Sequence, residues 1–480
     1  MKRVVVIGGG SAGSGITAAL RKAVQDGKVR LKVVERNKDL THPNSKYCTW
    51  RKWHRALIDK FDLMQPLREA LKKDAFGFGD KEKYPHFEHT FEGSERRRKI
   101  MGAFHCLSDN QIREWAETAM VRNQLDTFAF VSQNGEARWR CALDNMDPVT
   151  VHAILSVGML DHFVFGTTVE GIDAKNKQVF TDNGAFRYDV LIDASGAKML
   201  TSPNFVPIEW HNCSEFLLKV ETPFPDWFLK RGVFRLDTDP NRDTEDPTNT
   251  SCACFYPVDF HHVVFTMDDF GGPGLLQAPG ITGNMILDIH RKRMWKEIAN
   301  DPQMEGHFGG AQIVEETFNT IPQSGYLRES LLGLIPYPRM LAQCENGIIR
   351  IGDAGLDATP LSAEGVRRGI ESGLAAAVAI EESSDDAALK ENYDRRRAEA
   401  RVHDLTFHIA RALVFWGQNY NDPVWDAQVE NMKRMDDEAL VKLLKNESRI
   451  IEVVGALPVT ALIKRNVLRV LRGEKPKENY

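Results

Sequence analysis

Three glycines near the N-terminus, Gly8, Gly10 and Gly13, are spaced as G-x-G-x-x-G, with Ser11 and Ala12 between the last two. This spacing suits a chain that must pass close to a phosphate. The first glycine permits a tight turn, the second lets a pyrophosphate approach the backbone, and the third lets a helix pack tightly on the preceding strand. The N-terminus of that helix offers oriented N–H groups and a partial positive charge. Glu35 follows 22 residues after Gly13, beside Arg36. A carboxylate there accepts hydrogen bonds from a ribose diol. Gly8, Gly10, Ser11, Ala12, Gly13, Glu35 and Arg36 together predict a dinucleotide site.

The flanking sequence supplies the elements such a site needs. Val4 to Ile7 is a β-branched run that suits a strand buried on both faces, Ile16 to Val24 reads as a helix, and Val29 to Val34 as a second strand. This is one βαβ unit of about 30 residues. Tyr188 to Asp193 reads as a buried strand that ends in the small-residue turn Ala194-Ser195-Gly196. Gly347 to Ile351 reads as another, running into Gly352-Asp353-Ala354, with Pro360, Glu364 and Gly365 ahead of an alanine-rich helix to Glu382. Between them, residues 205–335 are aromatic-rich and strand-like. Ser108 to Val121, capped by Ser108, and Pro148 to Leu155 read as helices; Phe128 to Val131 and Ala137 to Cys141 read as strands.

Composition narrows the function classes. The chain has 480 residues, 42% hydrophobic and 27% charged, which excludes a disordered or fibrous chain. A net charge of −5 gives no basic field to hold nucleic acid. Seven cysteines, an odd and sparse set, suit a reducing compartment better than a disulfide scaffold. No signal-peptide pattern and no apolar run of membrane-spanning length occurs, so a cytoplasmic protein is expected, with peripheral membrane contact left open.

The motifs around Asp193-Gly196 and Gly352-Gly365 resemble those that complete the FAD domain of two-domain flavoproteins. Their order and spacing are similar to the p-hydroxybenzoate hydroxylase superfamily of FAD-dependent oxidoreductases. Within it, the stretch Gly352 to Val366, and Pro360-Leu361-Ser362-Ala363-Glu364-Gly365 above all, resembles the geranylgeranyl reductase branch. The resemblance implies an α/β fold: a Rossmann-like FAD-binding domain with a parallel sheet and helices, an inserted mixed-sheet substrate domain and a helical C-terminal region. The boundaries expected are 1–204 (with a substrate-domain insertion at about 75–145), 205–335, 336–385 and 386–480. Gly196, Gly352, Asp353, Pro360, Glu364 and Gly365 then join the cofactor site. Asp353 would accept from a ribityl hydroxyl, and the helix opening at Glu364-Gly365 would aim its positive end at the flavin pyrimidine.

The implied activity is reduction of carbon–carbon double bonds in a small apolar, isoprenoid-like substrate, with NAD(P)H or a reduced protein as electron donor. A monooxygenase or halogenase acting on an aromatic substrate is the first alternative; a non-catalytic prenyl-binding protein is the second. Cys48, in Lys46-Tyr47-Cys48, sits where the branch places a Lys-x-Cys segment near the flavin, and is the one catalytic candidate. No metal site is expected: Cys252-x-Cys254 with His261-His262 has the wrong cysteine spacing for zinc. Phe205, Trp210, Phe216, Phe224, Trp227, Phe228 and Phe234 suit an apolar pocket or a core equally. The basic amphipathic stretch Ile450 to Arg472 suits docking on the protein or on an anionic membrane.

Overall fold

A computed structural model describes residues 1–40, 48–51, 56–73, 108–131, 135–202, 204, 209–236, 251–272, 282–300, 306–323, 342–358, 365–400 and 424–439. Its strands among these residues form three sheets. The first holds β1 (Lys2–Ile7), β2 (Val29–Val34), β6 (Phe163–Val164), β10 (Val190–Asp193), β16 (Cys344–Glu345) and β17 (Ile348–Arg350) in the order β16-β17-β10-β1-β2-β6. All its pairings are parallel except that of the edge strand β16.

Alternation along the strands explains the layers. Val4, Val6, Val33, Ile192 and Ile349 face helices Ser11–Ala19 and Val366–Glu382 through Ile16, Ala376 and Ile380. Val5, Ile7, Val34, Leu191 and Ile348 face the other way, onto Val179 and Tyr188. That second face is covered by a small antiparallel sheet of β7 (Val169–Asp173), β8 (Gln178–Thr181) and β9 (Gly184–Arg187). Each fully buried Val or Ile contributes about 1.5–3 kcal/mol. A strand flanked on both faces can therefore spend its C-terminal end on chemistry.

The third sheet has eight strands, in the order β15-β11-β14-β13-β12-β4-β5-β3. They are β3 (Cys48–Arg51), β4 (Val121–Val131), β5 (Glu136–Met146), β11 (Glu209–Lys219), β12 (Arg231–Leu236), β13 (Ser251–Pro257), β14 (His262–Gly272) and β15 (Gln312–Gln323). Only β12 and β4 pair in parallel. Helix Gly283–Asn300 covers one face, with Met294 and Ile298 on Phe216, Leu218, Val263 and Phe265. Helix Val424–Met432 lies on the other, with Val429 and Met432 on Leu217, Tyr256, Val264 and Trp139. Strand β15 packs against the turns Gly196–Lys198 and Gly352–Gly355, which ties this sheet to the strand ends of the first.

Element boundaries differ from the sequence reading in physical ways. The first helix starts at Ser11, directly on the glycine loop, and stops at Leu20; a separate short helix, Arg21–Gln25, follows. Helix Asp109–Ala119 is capped by Ser108 in a capping box with Gln111, and ends before the β-branched Val121, which opens β4. Strands β4 and β5 extend well beyond their apolar centres, because Gln124, Asp144 and Asn145 pair in the ladder without an apolar signature. Among the described residues no helix is long and apolar enough to cross a membrane.

Candidate cofactor site

The end of β1 runs directly into the glycine loop. Gly8 has φ +100°, and a Cβ there would sit 2.4 Å from the Ala194 carbonyl oxygen, so only glycine fits between β1 and the end of β10. A Cβ on Gly13 would lie 1.9 Å from the Gly8 carbonyl oxygen, so the helix packs on the loop only without a side chain there. Gly10 is the opposite case: among the described residues nothing lies within 4 Å of a Cβ built on it. It is exposed and serves as N-cap of helix Ser11–Ala19 without a side-chain cap, and no acidic residue occupies the first turn. Among the described residues no side chain caps the N–H groups of that turn. Donor set and clearance both fit a pyrophosphate.

Residues after β10 and β17 approach this loop. Ala12 is the shared contact: a Cβ on Gly352 would lie 2.9 Å from its methyl, and one on Gly369, a turn into helix Val366–Glu382, 3.2 Å from it. Gly196, at φ +68°, opens the turn after β10, which is held by Asp193. That buried carboxylate accepts from the Ser195 N–H (3.0 Å), the Thr201 N–H (2.8 Å) and the Thr201 hydroxyl (2.6 Å). Arg350 at the end of β17 donates in turn to the Thr201 hydroxyl (2.9 Å) and carbonyl (3.1 Å), so neighbouring strand ends are locked together.

Glu35 directly follows β2, buried, with its two oxygens accepting from the Gly9 N–H (2.6 Å) and the Asn37 N–H (2.8 Å). Each oxygen retains a further lone pair for a diol. Arg36 beside it is exposed. On the other side, Asp353 lies against Gly365: a Cβ there would sit 3.1 Å from its Oδ1. Burial, and next the Asp357 carboxylate, push Asp353 up to about 7. Asp357 is itself enclosed, accepting from the Gly352 N–H (2.6 Å) and pairing with Arg397 (3.1 Å), which also donates to the Gly355 carbonyl (2.9 Å). Arg397 follows Arg395 and Arg396 in helix Asp386–Ala400, and nothing in that run of arginines marks it for this role.

No family model matches the chain. Over 142 residues it is 26% identical to a digeranylgeranylglycerophospholipid reductase of Methanosarcina acetivorans; the stretch covers 28% of this chain and 31% of that protein, about a third of its length. Solved structures match over nearly the whole chain, these three among them. A geranylgeranyl bacteriochlorophyll reductase-like protein of Thermoplasma acidophilum matches with a TM-score of 0.54 at 12% identity, over 98% of each chain. The flavin-dependent brominase Bmp2 matches at 0.54 and 14% identity, over 99% of this chain and 100% of its own. A variant of Klebsiella pneumoniae HpxO complexed with FAD matches at 0.54 and 14% identity, over 94% of this chain and 99% of its own.

The fold is that of the FAD-dependent oxidoreductases. In this flavoprotein fold the glycine loop, the Gly196 turn and the Gly352 turn lie at the C-terminal ends of adjacent parallel strands, where β1 separates β10 from β2. Pro360 and Glu364 lie outside the described residues, as do Lys46 and Tyr47. Cys48 is described as backbone only: it opens β3, in register with Met146 on β5. Met146 leads into Asp147, the N-cap of helix Pro148–Leu155, whose His152 reaches Ser11. That histidine was missed in the sequence, since nothing in an apolar helix distinguishes it.

The aromatic residues expected at a pocket or a core divide. Phe216, Phe224 and Phe228 are core, packed under helix Gly283–Asn300. Trp227 is exposed. Phe205 and the side chains of Trp210 and Phe234 lie outside the described set. Cys254 is buried, and His262 is paired with Asp259 (2.9 Å).

Proposed function

We propose that the chain binds FAD non-covalently and uses it to reduce carbon–carbon double bonds of an apolar, isoprenoid-like substrate. The observation that carries the cofactor half is the glycine loop. Gly8 and Gly13 are too crowded for any side chain, while Gly10 between them opens onto an uncapped helix N-terminus. FAD, when bound, would supply the hydride. The chain would hold the pyrophosphate at Gly10 and Ser11, a ribose at Glu35 and a ribityl hydroxyl at Asp353, and would leave the isoalloxazine near the junction where β15 meets the Gly196 and Gly352 turns.

The reductase half is supported by the Gly352 to Val366 stretch and by the partial similarity to the archaeal reductase. The reaction takes two electrons per double bond, delivered by NAD(P)H or a reduced protein, and a proton from a group such as Cys48. Work in the cytoplasm, at or near a membrane that holds the substrate, fits an apolar chain as substrate. A second reading is oxygen-using chemistry on an aromatic substrate, because a flavin-dependent brominase shares the fold.

The test is an anaerobic single turnover. Dithionite-reduced holoprotein mixed with a polyprenyl substrate should become oxidised while the product gains two hydrogens per reduced bond, by mass. Flavin that stays reduced until oxygen is admitted, with oxygen then consumed in proportion to an aromatic product, would favour the second reading. Prenyl binding with neither reaction would leave a binding protein.

A further inference from the structure

Helix Pro148–Leu155 is held at both ends and meets the helix of the nucleotide loop through His152. Asp147 caps its start, accepting from the Val149 N–H (3.2 Å) and the Thr150 hydroxyl (2.7 Å). Buried Arg21 closes its end, donating to the carbonyls of Leu155 (2.9 Å) and Val157 (3.0 Å), where a cation also suits the helix dipole. Desolvation draws Arg21 down to about 10, so it stays charged at neutral pH. Between these anchors, His152 is 3% exposed and places Nε2 2.7 Å from the Ser11 hydroxyl. Ser11 is the first residue of the loop's helix, next to the open Gly10.

A serine hydroxyl has one hydrogen to give. Were Nε2 to accept it, Ser11 would show an anion only lone pairs. With the proton on Nε2, His152 donates and the Ser11 hydrogen is left for a phosphate oxygen. Building on the FAD reading above, we infer that His152 is a positioning residue of the cofactor site: it donates Nε2–H to Ser11 and so aims the Ser11 hydroxyl hydrogen at the pyrophosphate. The order of donation is His152 to Ser11 to phosphate, and the charge of the anion strengthens both links. The relay is specific to the diphosphate and makes no call on the adenine or the flavin ring.

The experiment uses apoprotein. FAD affinity is read by quenching of flavin fluorescence, and the affinities of ADP and adenosine by competition. His152→Leu should weaken FAD and ADP about tenfold, the worth of one charge-assisted hydrogen bond, and leave adenosine unchanged. Ser11→Ala should lose the same amount, and the double variant no more than either single one, because the two residues act in series. His152→Gln, whose amide nitrogen can stand near the Nε2 position, should restore most of the affinity. His152→Asn, whose nitrogen falls short of Ser11, should not, and this pair decides the matter if His152→Leu does not fold. Equal ADP affinity across Gln and Asn, an equal loss for adenosine, or additive losses in the double variant would overturn the assignment. Wild-type protein that binds neither FAD nor ADP would overturn the cofactor reading itself, whereas binding with flat variants overturns only the role of His152.

Discussion

Two serine–histidine pairs, each at 2.7 Å, stand in the two halves of this molecule. Ser11–His152 lies at the C-terminal ends of the parallel strands, beside a loop with open space. Ser214–His290 lies under helix Gly283–Asn300 on the eight-stranded sheet, where both residues are 0% exposed. The residue types and the distance are the same, though Ser11 meets Nε2 and Ser214 meets Nδ1; the second pair satisfies buried polar atoms, whereas the first stands beside the glycine loop. The contrast holds for the sheets as wholes. The six-stranded sheet brings backbone groups and carboxylates to its strand ends. The eight-stranded sheet spends Phe216, Phe265, Leu217 and Tyr256 on packing.

Substitutions can break that contrast in order of expected size. Gly13→Val should cost most. The added side chain would have to displace the Gly8 carbonyl, 1.9 Å from a Cβ, and overpacking against backbone should cost at least about 3 kcal/mol. Chemical denaturation would register this as a lower midpoint together with lost FAD retention; a midpoint within error of wild type would show that the helix does not pack as described. Arg397→Ala leaves buried Asp357 without its cation and should cost about 3 kcal/mol, with weaker FAD binding through the Gly352–Gly355 turn.

Phe216→Leu in the other sheet should cost about 1–2 kcal/mol and leave FAD affinity unchanged. A loss of FAD affinity there as large as in Arg397→Ala would dissolve the distinction between the halves. A pH effect in the cofactor-free protein stands apart from this order. The folded Asp353 sits at about 7 against an ordinary 3.8, so the folded state holds the proton more tightly. Stability from this group is present in full below about 4 and is lost as pH rises towards 7. Asp353→Asn should flatten that part of the Tm-versus-pH curve; an identical slope in the variant would mean that Asp353 is not enclosed beside Asp357.

The same contrast explains what was legible in the sequence. Gly8 and Gly13 could be read because a strand-to-helix turn packed against neighbouring backbone permits few residue types at fixed spacing. The strand ends at Asp193 and Gly352 were readable for a related reason: β-branched runs stop abruptly at small residues. His152, Arg397 and Thr201 were not. Each acts across the fold, at sequence separations of 141 from Ser11, 40 from Asp357 and 149 from Arg350, and no local pattern marks such pairs. Strands β4 and β5 were seen only where they meet near their shared turn, Phe128 to Val131 against Ala137 to Cys141, since ladder hydrogen bonds hold polar residues as readily as apolar ones. The aromatic residues around Phe216 could not be assigned in advance, because a core and an apolar pocket draw on the same residue types.

The most direct measurement is a titration of purified, cofactor-stripped protein with FAD, followed by flavin fluorescence and absorbance, with Gly10→Val as its control. The loop geometry predicts one FAD per chain, released on denaturation. It also predicts a folded Gly10→Val protein of near wild-type stability that no longer retains the cofactor, because its side chain fills the space at the uncapped helix. Wild-type protein that takes up no FAD, or a Gly10→Val variant that binds it as well as wild type, would contradict the account.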